Sequence, residues 1–259
     1  MTLIGDSWQA LYDFRGARPD LVPAILTAHG FAQQEVTRSF RYKSDDLEQR
    51  MERLRKGEGL SLVTGQASEC DVVLATGWDQ LWKAGDCVLP IGLGSPDNKS
   101  EALMTLLLNR VTSTRLGVEA RNYTEACFVL ALAPQAPERD VVLDAFLLEL
   151  RNAGAKPAFE SLRARHQTLG LVRRPPKLGS KKEEKLNETL ALLKVRLGGQ
   201  PLVSGLSVHQ AKGREYDRVG LKLKPADVKR LASGLDADKP DDRVLYVAST
   251  RAKRGTVLV

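Results

Sequence analysis

The stretch Val208–Val219 combines residue types that bind phosphates, at a spacing that brings them into one loop. After the apolar Val208 come His209 and then the pair Lys212-Gly213, before the chain returns to an apolar run. A lysine beside a glycine lets an ammonium group and bare backbone approach an anion closely. The pattern predicts a polar, phosphate-contacting loop between two strands, with an ordinary surface loop as the alternative.

A second chemically suggestive stretch, Arg243–Arg254, follows about thirty residues later. Val244, Val247 and Ala248 would share one helical face, and Arg251 falls one turn further on the same side. A buried apolar helix that ends in Arg251 can hold its guanidinium rigidly at a cleft. A planar, permanently charged group is suited to a transferring phosphoryl group. An ordinary salt-bridged helix is the alternative.

The beginning of the chain has a comparable organisation. The short apolar run Thr2–Ile4 ends in Gly5-Asp6, and polar and aromatic residues then alternate over Trp8, Gln9, Tyr12, Phe14 and Arg15. This pattern predicts a strand that leads directly into a functional loop.

Strand-like and helix-like stretches alternate along the chain, which predicts an α/β fold with layered helices and strands. The expected strands are Thr2–Ile4, Ser61–Thr64, Asp71–Thr76, Val88–Ile91, Cys127–Ala133, Gly205–Val208, Val219–Leu223 and Thr256–Val259.

Capping residues predict where several helices begin and end. Ser44 is expected to cap a helix that Gly57 terminates, and Glu138–Asn152 reads as a buried helix. Ser180 begins a capping-box pattern, and Ser100 is expected to cap a helix after a strand and turn.

Composition limits the possible function classes. The chain has 259 residues, 42% of them hydrophobic, and a net charge of +7, which suits either a nucleic-acid partner or a basic protein without one. Cys70, Cys87 and Cys127 show neither a disulfide nor a zinc-binding pattern, and buried free thiols fit a reducing, cytoplasmic setting. No apolar run approaches the length of a membrane span, and no metal-ligand set is evident.

Four segments together resemble the motifs of one enzyme family. SVHQAKGREYDRV (Ser207–Val219) and RVLYVASTRAK (Arg243–Lys253) closely resemble motifs V and VI of the UvrD/Rep-type superfamily 1 DNA helicases. IGDSWQALYDFRGA (Ile4–Ala17) resembles motif III, and Val36–Arg41 resembles motif IV. The motifs occur in the family's order, and the resemblance is clear over residues 1–43 and 203–259 but weak between them.

The resemblance implies roles for residues that contact the nucleotide. Phe40 would stack on adenine, and Arg41 and Arg251 would be arginine fingers on the γ-phosphate. Glu215 would bind the ribose, with Gly213 allowing close approach.

The resemblance also implies a DNA-binding set. Gln9 would sense the γ-phosphate and link it to the DNA site. Stacking rings and cationic groups suit single-stranded DNA, and the residues implied to contact it are Tyr12, Phe14, Arg15, Ser207 and His209.

The family's cofactors are ATP and Mg²⁺, bound mainly by a Walker A loop and an acidic Walker B strand. Neither motif is visible in this sequence. In the nearest stretch, Gly92–Ser100, Leu93 and Asn98 stand where Walker A requires glycines, so it is expected to be a simple strand–turn–helix connection. The missing elements would belong to a first RecA-like domain, and the chain alone is predicted to be inactive.

The expected fold is therefore a RecA-like parallel sheet flanked by helices, the second core domain of a helicase, with an inserted α/β or helical segment. Residues 1–19 are predicted to be a remnant of the first RecA-like domain. The second domain would be formed by residues 20–84 and 201–259. Residues 85–200 would be an insertion between its two parts, a reduced or divergent form of the family's 2B subdomain.

The function this implies is the C-terminal region of an ATP-dependent 3′–5′ DNA helicase in repair, replication or recombination. Its partners would be single-stranded or partly duplex DNA and the missing domain, in cis or in trans, with no membrane. Two alternatives remain open: a non-enzymatic module that binds nucleic acid or complements a partner, and the ATPase arm of a helicase–nuclease complex.

Overall fold

A computed structural model describes residues 5–12, 16, 18–32, 34, 39–133, 137–177 and 179–259. The chain is an α/β protein with five strands, all paired in parallel and flanked by helices. It divides into two compact units: unit 1 comprises Met1–Thr76 and Ser207–Val259, and unit 2 comprises Gly77–Leu206. The predicted strand Thr2–Ile4 lies outside the described residues. The predicted insertion, residues 85–200, falls within unit 2 and stays a prediction.

The strands are β1 (Val72–Ala75), β2 (Val88–Pro90), β3 (Val203–Ser207), β4 (Tyr216–Lys222) and β5 (Ala252–Leu258). The helices are α1 (Val22–Ala28), α2 (Asp45–Arg55), α3 (Trp78–Trp82), α4 (Lys99–Leu116), α5 (Tyr123–Leu130), α6 (Pro137–Ala153), α7 (Ala155–Ala164), α8 (Ser180–Arg196), α9 (Val208–Ala211), α10 (Pro225–Ser233) and α11 (Pro240–Ser249). Short 3₁₀ turns lie at Ser7–Gln9, Pro19–Leu21, Ala67–Glu69 and His166–Leu169.

In unit 1, β4 pairs with β1 on one side and with β5 on the other. All residues of β1 are fully buried, and a continuous apolar run of this kind is typical of a parallel strand covered on both faces. The predicted strands at 71–76, 219–223 and 256–259 are confirmed with modest changes of bounds. The predicted strand Ser61–Thr64 is wrong, because that segment makes only a single bridge, between Thr64 and Leu258.

The helices of unit 1 follow their capping signals. The Ser44 hydroxyl accepts a hydrogen bond from the Leu47 backbone N–H at the start of α2, and the chain adopts φ +84° at Gly57 just after the helix. Both predicted limits of α2 are confirmed. Helix α11 packs against α2, α9, α10 and the turn at Ser7–Gln9.

Unit 2 is mainly helical and has a large apolar core contributed by α4, α5, α6, α7 and α8. Its strands β2 and β3 pair in parallel, which confirms the predictions at 88–91 and 205–208. The predicted strand Cys127–Ala133 is wrong: the segment belongs largely to α5, which packs on α4. A short apolar run does not distinguish a strand from a buried helix, and here the left-handed Ala131 ends the helix.

Two predicted caps in unit 2 are also wrong. Asn98, not Ser100, caps α4, because its side-chain oxygen accepts from the backbone N–H groups of Ser100 and Glu101. Ser180 is the first residue of α8, after Gly179 at the cap position. The helix predicted over 138–152 is confirmed as α6, but it is not a buried helix: Leu143, Phe146 and Leu150 are buried, whereas Val141 and Leu148 are exposed.

A buried arginine ties α8 to the strand edge of unit 2. Arg196 has no exposed surface, and its guanidinium donates to the backbone carbonyls of Trp82 (3.0 Å), Gly85 (2.8 Å), Leu192 (2.8 Å) and Val88. Burial lowers the pKa of Arg196 below its ordinary value. Because so many carbonyls depend on one side chain, we expect Arg196 to be important for the stability of this unit.

All three cysteines are free thiols; Cys70 and Cys127 are buried and Cys87 is partly exposed. None of the helices in the described part of the chain combines the length and apolar character needed to cross a bilayer.

Candidate functional site

The amino ends of β4 and β5 bring together two residues that are far apart in the sequence. Glu215 directly precedes β4, and Arg251 directly precedes β5. The two strands are adjacent and parallel, with Tyr216 opposite Ala252. The Tyr216 backbone N–H donates to the Arg251 carbonyl at 3.1 Å. The pairing of the strands therefore fixes Glu215 and Arg251 near each other through the backbone.

Arg41 joins this pair from a segment that runs beside β5. The Lys43 backbone N–H donates to the Lys253 carbonyl at 2.9 Å. The Arg41 side chain donates through Nε to Glu215 Oε1 at 2.7 Å and through Nη1 to the Thr250 carbonyl at 2.8 Å. Three residues predicted to contact the nucleotide, Arg41, Glu215 and Arg251, thus converge at one edge of unit 1.

The charges of this edge shift one another's pKa values. The hydrogen bond from Arg41 lowers the pKa of the Glu215 carboxyl below its ordinary value. Burial alone would lower the pKa of Arg41, but the hydrogen bond and charge of Glu215 raise it overall. Burial, and then the positive charge of Arg41, lower the pKa of Arg251. The two arginines are therefore close enough to repel, and the Glu215 carboxylate, which raises the pKa of both, offsets part of that repulsion.

Arg251 differs in detail from its predicted position. Helix α11 ends at Ser249, so Arg251 lies beyond the helix instead of on its last turn. Its side chain is 1% exposed, and it donates through Nε to the Val247 carbonyl at 3.0 Å and through Nη2 to Thr250 Oγ1 at 3.1 Å. The guanidinium is held rigidly, as expected, but it is directed to internal acceptors and not to an open cleft.

A second ion cluster continues the site and was not predicted. Lys43 Nζ lies 3.3 Å from Asp217 Oδ1, and Arg254 Nε lies 3.0 Å from Asp217 Oδ2. Arg41 and Lys43 are two residues apart, as are their partners Glu215 and Asp217. Because side chains two apart share a face in extended chain, this matched spacing of opposite charges was a signal in the sequence.

The remaining residues predicted to contact the nucleotide are open to solvent. Phe40, next to Arg41, is 85% exposed. Gly213 adopts φ +79°, and no atom lies within 4 Å of the position that a Cβ would take. The Phe40 ring and the Gly213 backbone are therefore accessible to solvent in unit 1.

Part of the predicted DNA-binding set forms a separate cluster in unit 1. The Tyr12 and His209 ring centroids are 5.9 Å apart, and Lys212 Nζ lies 5.2 Å from the Tyr12 centroid. Ser207 donates through its hydroxyl to Gln210 Oε1 at 3.2 Å at the start of α9. Sequence reasoning did not place Lys212 with Tyr12. Phe14 and Arg15 lie outside the described residues.

Residues 6–10 are held on α11 and on the end of α2 by both apolar and polar contacts. The Trp8 and Tyr246 ring centroids are 4.7 Å apart, and Arg55 makes a two-pronged ion pair with Asp6, with both distances 3.1 Å. Gln9 donates through Nε2 to Asp6 Oδ2 at 2.9 Å. The carboxylate of Asp6 thus orients the predicted γ-phosphate sensor, a contact that the sequence did not reveal.

Within the described residues, no group of three or more histidine, cysteine, aspartate or glutamate side chains could hold a metal ion.

No protein-family model matches the chain, and a search of curated proteins finds no match.

Proposed function

We propose that the chain acts as the second RecA-like motor domain of a UvrD/Rep-type DNA helicase. The observation that carries the proposal is the convergence of Arg41, Glu215 and Arg251 from three distant segments. Its support is that residues implied by four separate motifs meet in two clusters, one suited to a nucleotide and one to a nucleic acid.

The donor set of the first cluster fits ATP. Arg41 and Arg251 are the candidates to neutralise the charge that develops on a transferring phosphoryl group. Arg251 is 1% exposed and would have to turn away from Val247 and Thr250 to reach it. Glu215 supplies a carboxylate for ribose hydroxyls, and the exposed Phe40 offers a ring for the base. ATP, when bound, would supply the phosphoryl group, and hydrolysis of that ATP would drive movement along DNA. In this proposal Mg²⁺ would be held mainly by the domain that carries the Walker A loop and the Walker B strand.

The second cluster fits single-stranded DNA. Tyr12 provides an aromatic face that can stack on any base, and Lys212 provides a charge for a phosphate. His209 packs against the same ring. Sequence-tolerant stacking with cationic support is what a translocating motor requires.

One short connection links the two clusters. His209 and Lys212 contact Tyr12, and Gly213 and Glu215 follow within the same connection between β3 and β4. A shift of this segment on binding of nucleotide would therefore also move the proposed DNA contacts. This gives a physical route for coupling hydrolysis to movement.

The test is to measure ATP hydrolysis with and without a RecA-like domain that carries GxxxxGK[ST], supplied in cis or in trans. We expect no turnover by the chain alone, and turnover stimulated by single-stranded DNA when both domains are present. Robust turnover by the chain alone would contradict the proposal. DNA binding without turnover in the presence of the partner domain would indicate the non-enzymatic module instead.

A further inference from the structure

The stretch that resembles motif VI begins with Arg243, a residue that lies outside both proposed clusters. Arg243 belongs to the first half of α11, whereas the proposed arginine finger Arg251 follows the end of that helix. Arg243 is 2% exposed. It therefore does not reach a phosphate or a base itself, and any part that it takes in binding is exerted through a neighbouring residue.

The Arg243 guanidinium fastens the segment that carries Tyr12. Its Nε donates to the Ala10 carbonyl at 2.7 Å, and its Nη1 donates to the Ala237 carbonyl at 2.6 Å. Ala10 comes two residues before Tyr12, and Leu11 between them is buried. One side chain thus ties the first half of α11 to the backbone next to the proposed stacking residue.

Packing alone does not favour an arginine at this position. Arg243 is the fourth residue of α11, and the helix dipole opposes a cation near the amino end of a helix. Removing a guanidinium from water is costly, and an apolar side chain of similar volume is often at least as stabilising at a buried site. The hydrogen bond to Ala10 therefore explains this arginine better than its packing does.

The place of the Tyr12 ring depends on this backbone. The ring lies against His209, with centroids 5.9 Å apart, and Lys212 Nζ lies 5.2 Å from its centroid. His209 and Lys212 belong to the connection between β3 and β4, so the two sides of the contact come from segments far apart in the sequence. If the Ala10 backbone moves, the Tyr12 ring moves relative to both partners.

We propose that Arg243 is a positioning residue for Tyr12. By holding the Ala10 carbonyl, it keeps the Tyr12 ring against His209 and Lys212, where the ring can stack on a base. The inference rests on the proposed function, because it takes Tyr12 as the residue that stacks on single-stranded DNA. It adds a residue of α11 to the DNA-binding machinery without placing that residue in contact with DNA.

The first test measures the Tyr12 contact without DNA. In the parent chain the ring protons of Tyr12 and His209 should show a nuclear Overhauser effect, because the rings are in contact. Arg243→Met removes both donors and should abolish this signal. Arg230→Met is the control: it removes another cation that holds α11, through Asp242 Oδ1 at 2.6 Å, and it should keep the signal.

The second test measures affinity for a labelled oligothymidylate by fluorescence anisotropy. Arg243→Met should weaken binding by about fivefold or more, the lower limit for loss of one stacked base. In a Tyr12→Ala background the same substitution should cause less than about a twofold further loss, because the two residues act through one contact. Arg230→Met should bind as the parent chain does.

The salt dependence separates positioning from a direct contact. Because Arg243 is buried, Arg243→Met should leave the slope of log K against log salt unchanged, whereas loss of a phosphate contact would reduce it by about 0.7. Arg243→Lys covers the case in which Arg243→Met does not fold. It keeps the charge but replaces the planar fork with a single ammonium, and it should weaken both the signal and DNA binding.

The proposal is wrong if a folded Arg243→Met or Arg243→Lys variant keeps either the Tyr12–His209 signal or the parent affinity. It is also wrong if the loss of affinity is the same with and without the Tyr12 ring, if the salt slope falls, or if Arg230→Met loses as much. If the parent chain does not bind the oligonucleotide, the proposed function fails, and the signal alone then decides whether Arg243 positions Tyr12.

Discussion

The contact of Tyr12 with His209 and Lys212 makes a quantitative prediction for binding of single-stranded DNA. Among the described residues, Tyr12 is the one aromatic side chain assigned to stack on the bases of DNA, and the Tyr12→Ala substitution removes it. Base–aromatic stacking contributes about 1–3 kcal/mol per base, so we expect binding to weaken by roughly 5- to 150-fold. Tyr12→Phe keeps the ring and should restore nearly all of the affinity.

Lys212 should show a different signature because it contributes charge. Neutralising one phosphate contact on a single strand changes the slope of log K against log salt by about 0.7. Lys212→Gln should therefore reduce the salt slope by about 0.7, whereas Tyr12→Ala should lower affinity without changing the slope. Lys229→Gln, the same charge change on an exposed face of α10, is the control and should leave the slope unaltered.

The assay is fluorescence anisotropy of a labelled oligonucleotide against the whole chain, at several salt concentrations. The reasoning is refuted if Tyr12→Ala binds as tightly as the parent chain, or if Tyr12→Phe is as weak as Tyr12→Ala. A Lys229→Gln variant that loses as much slope as Lys212→Gln would show that binding follows net charge alone.

Three further predictions concern individual arginines. In an assembly that hydrolyses ATP, Arg251→Ala should reduce kcat by about 10³-fold or more while leaving DNA affinity unchanged, and retention of turnover in a steady-state assay would refute the role. Arg41→Gln should raise the pKa of Glu215 toward that of an ordinary glutamate, and an NMR titration of the Glu215 carboxyl measures this change. Because that pKa is lowered in the folded chain, the stabilisation from this ion pair is present above the ordinary pKa and is lost as pH falls through the lowered value. Arg196→Met should lower the free energy of unfolding by about 3 kcal/mol, since four backbone carbonyls lose their donor. Urea denaturation checks this, with Lys181→Met at an exposed position as the control.

Much of the parallel strand pattern could be predicted because buried parallel strands are continuous apolar runs. β1 is such a run, and so is the apolar part of β4 around Val219. The same reasoning failed at Cys127–Ala133, where an equally apolar run is the buried part of α5. The choice between the two structures depends on packing against α4, which lies elsewhere in the sequence.

The motifs identified the members of the nucleotide cluster, but they did not give its detailed geometry. That Arg251 lies past the end of α11 and donates to Thr250 depends on where the helix ends, and helix ends are the least predictable feature of a sequence. The ion pair of Asp6 with Arg55 depends on docking of residues 6–10 against α11. Nothing local to either residue indicates that contact.

The adjacency of Glu215 and Arg251 has a consequence for how the sequence can change over evolution. Each residue sits immediately before a strand, and the two strands are paired, so their separation is set by chain connectivity. Substitutions in the surrounding helices can accumulate without moving them. A single-residue insertion or deletion between Glu215 and Tyr216, or between Arg251 and Ala252, would shift one partner relative to the other. Chain length is therefore constrained at these two junctions, in addition to the identities of Glu215 and Arg251.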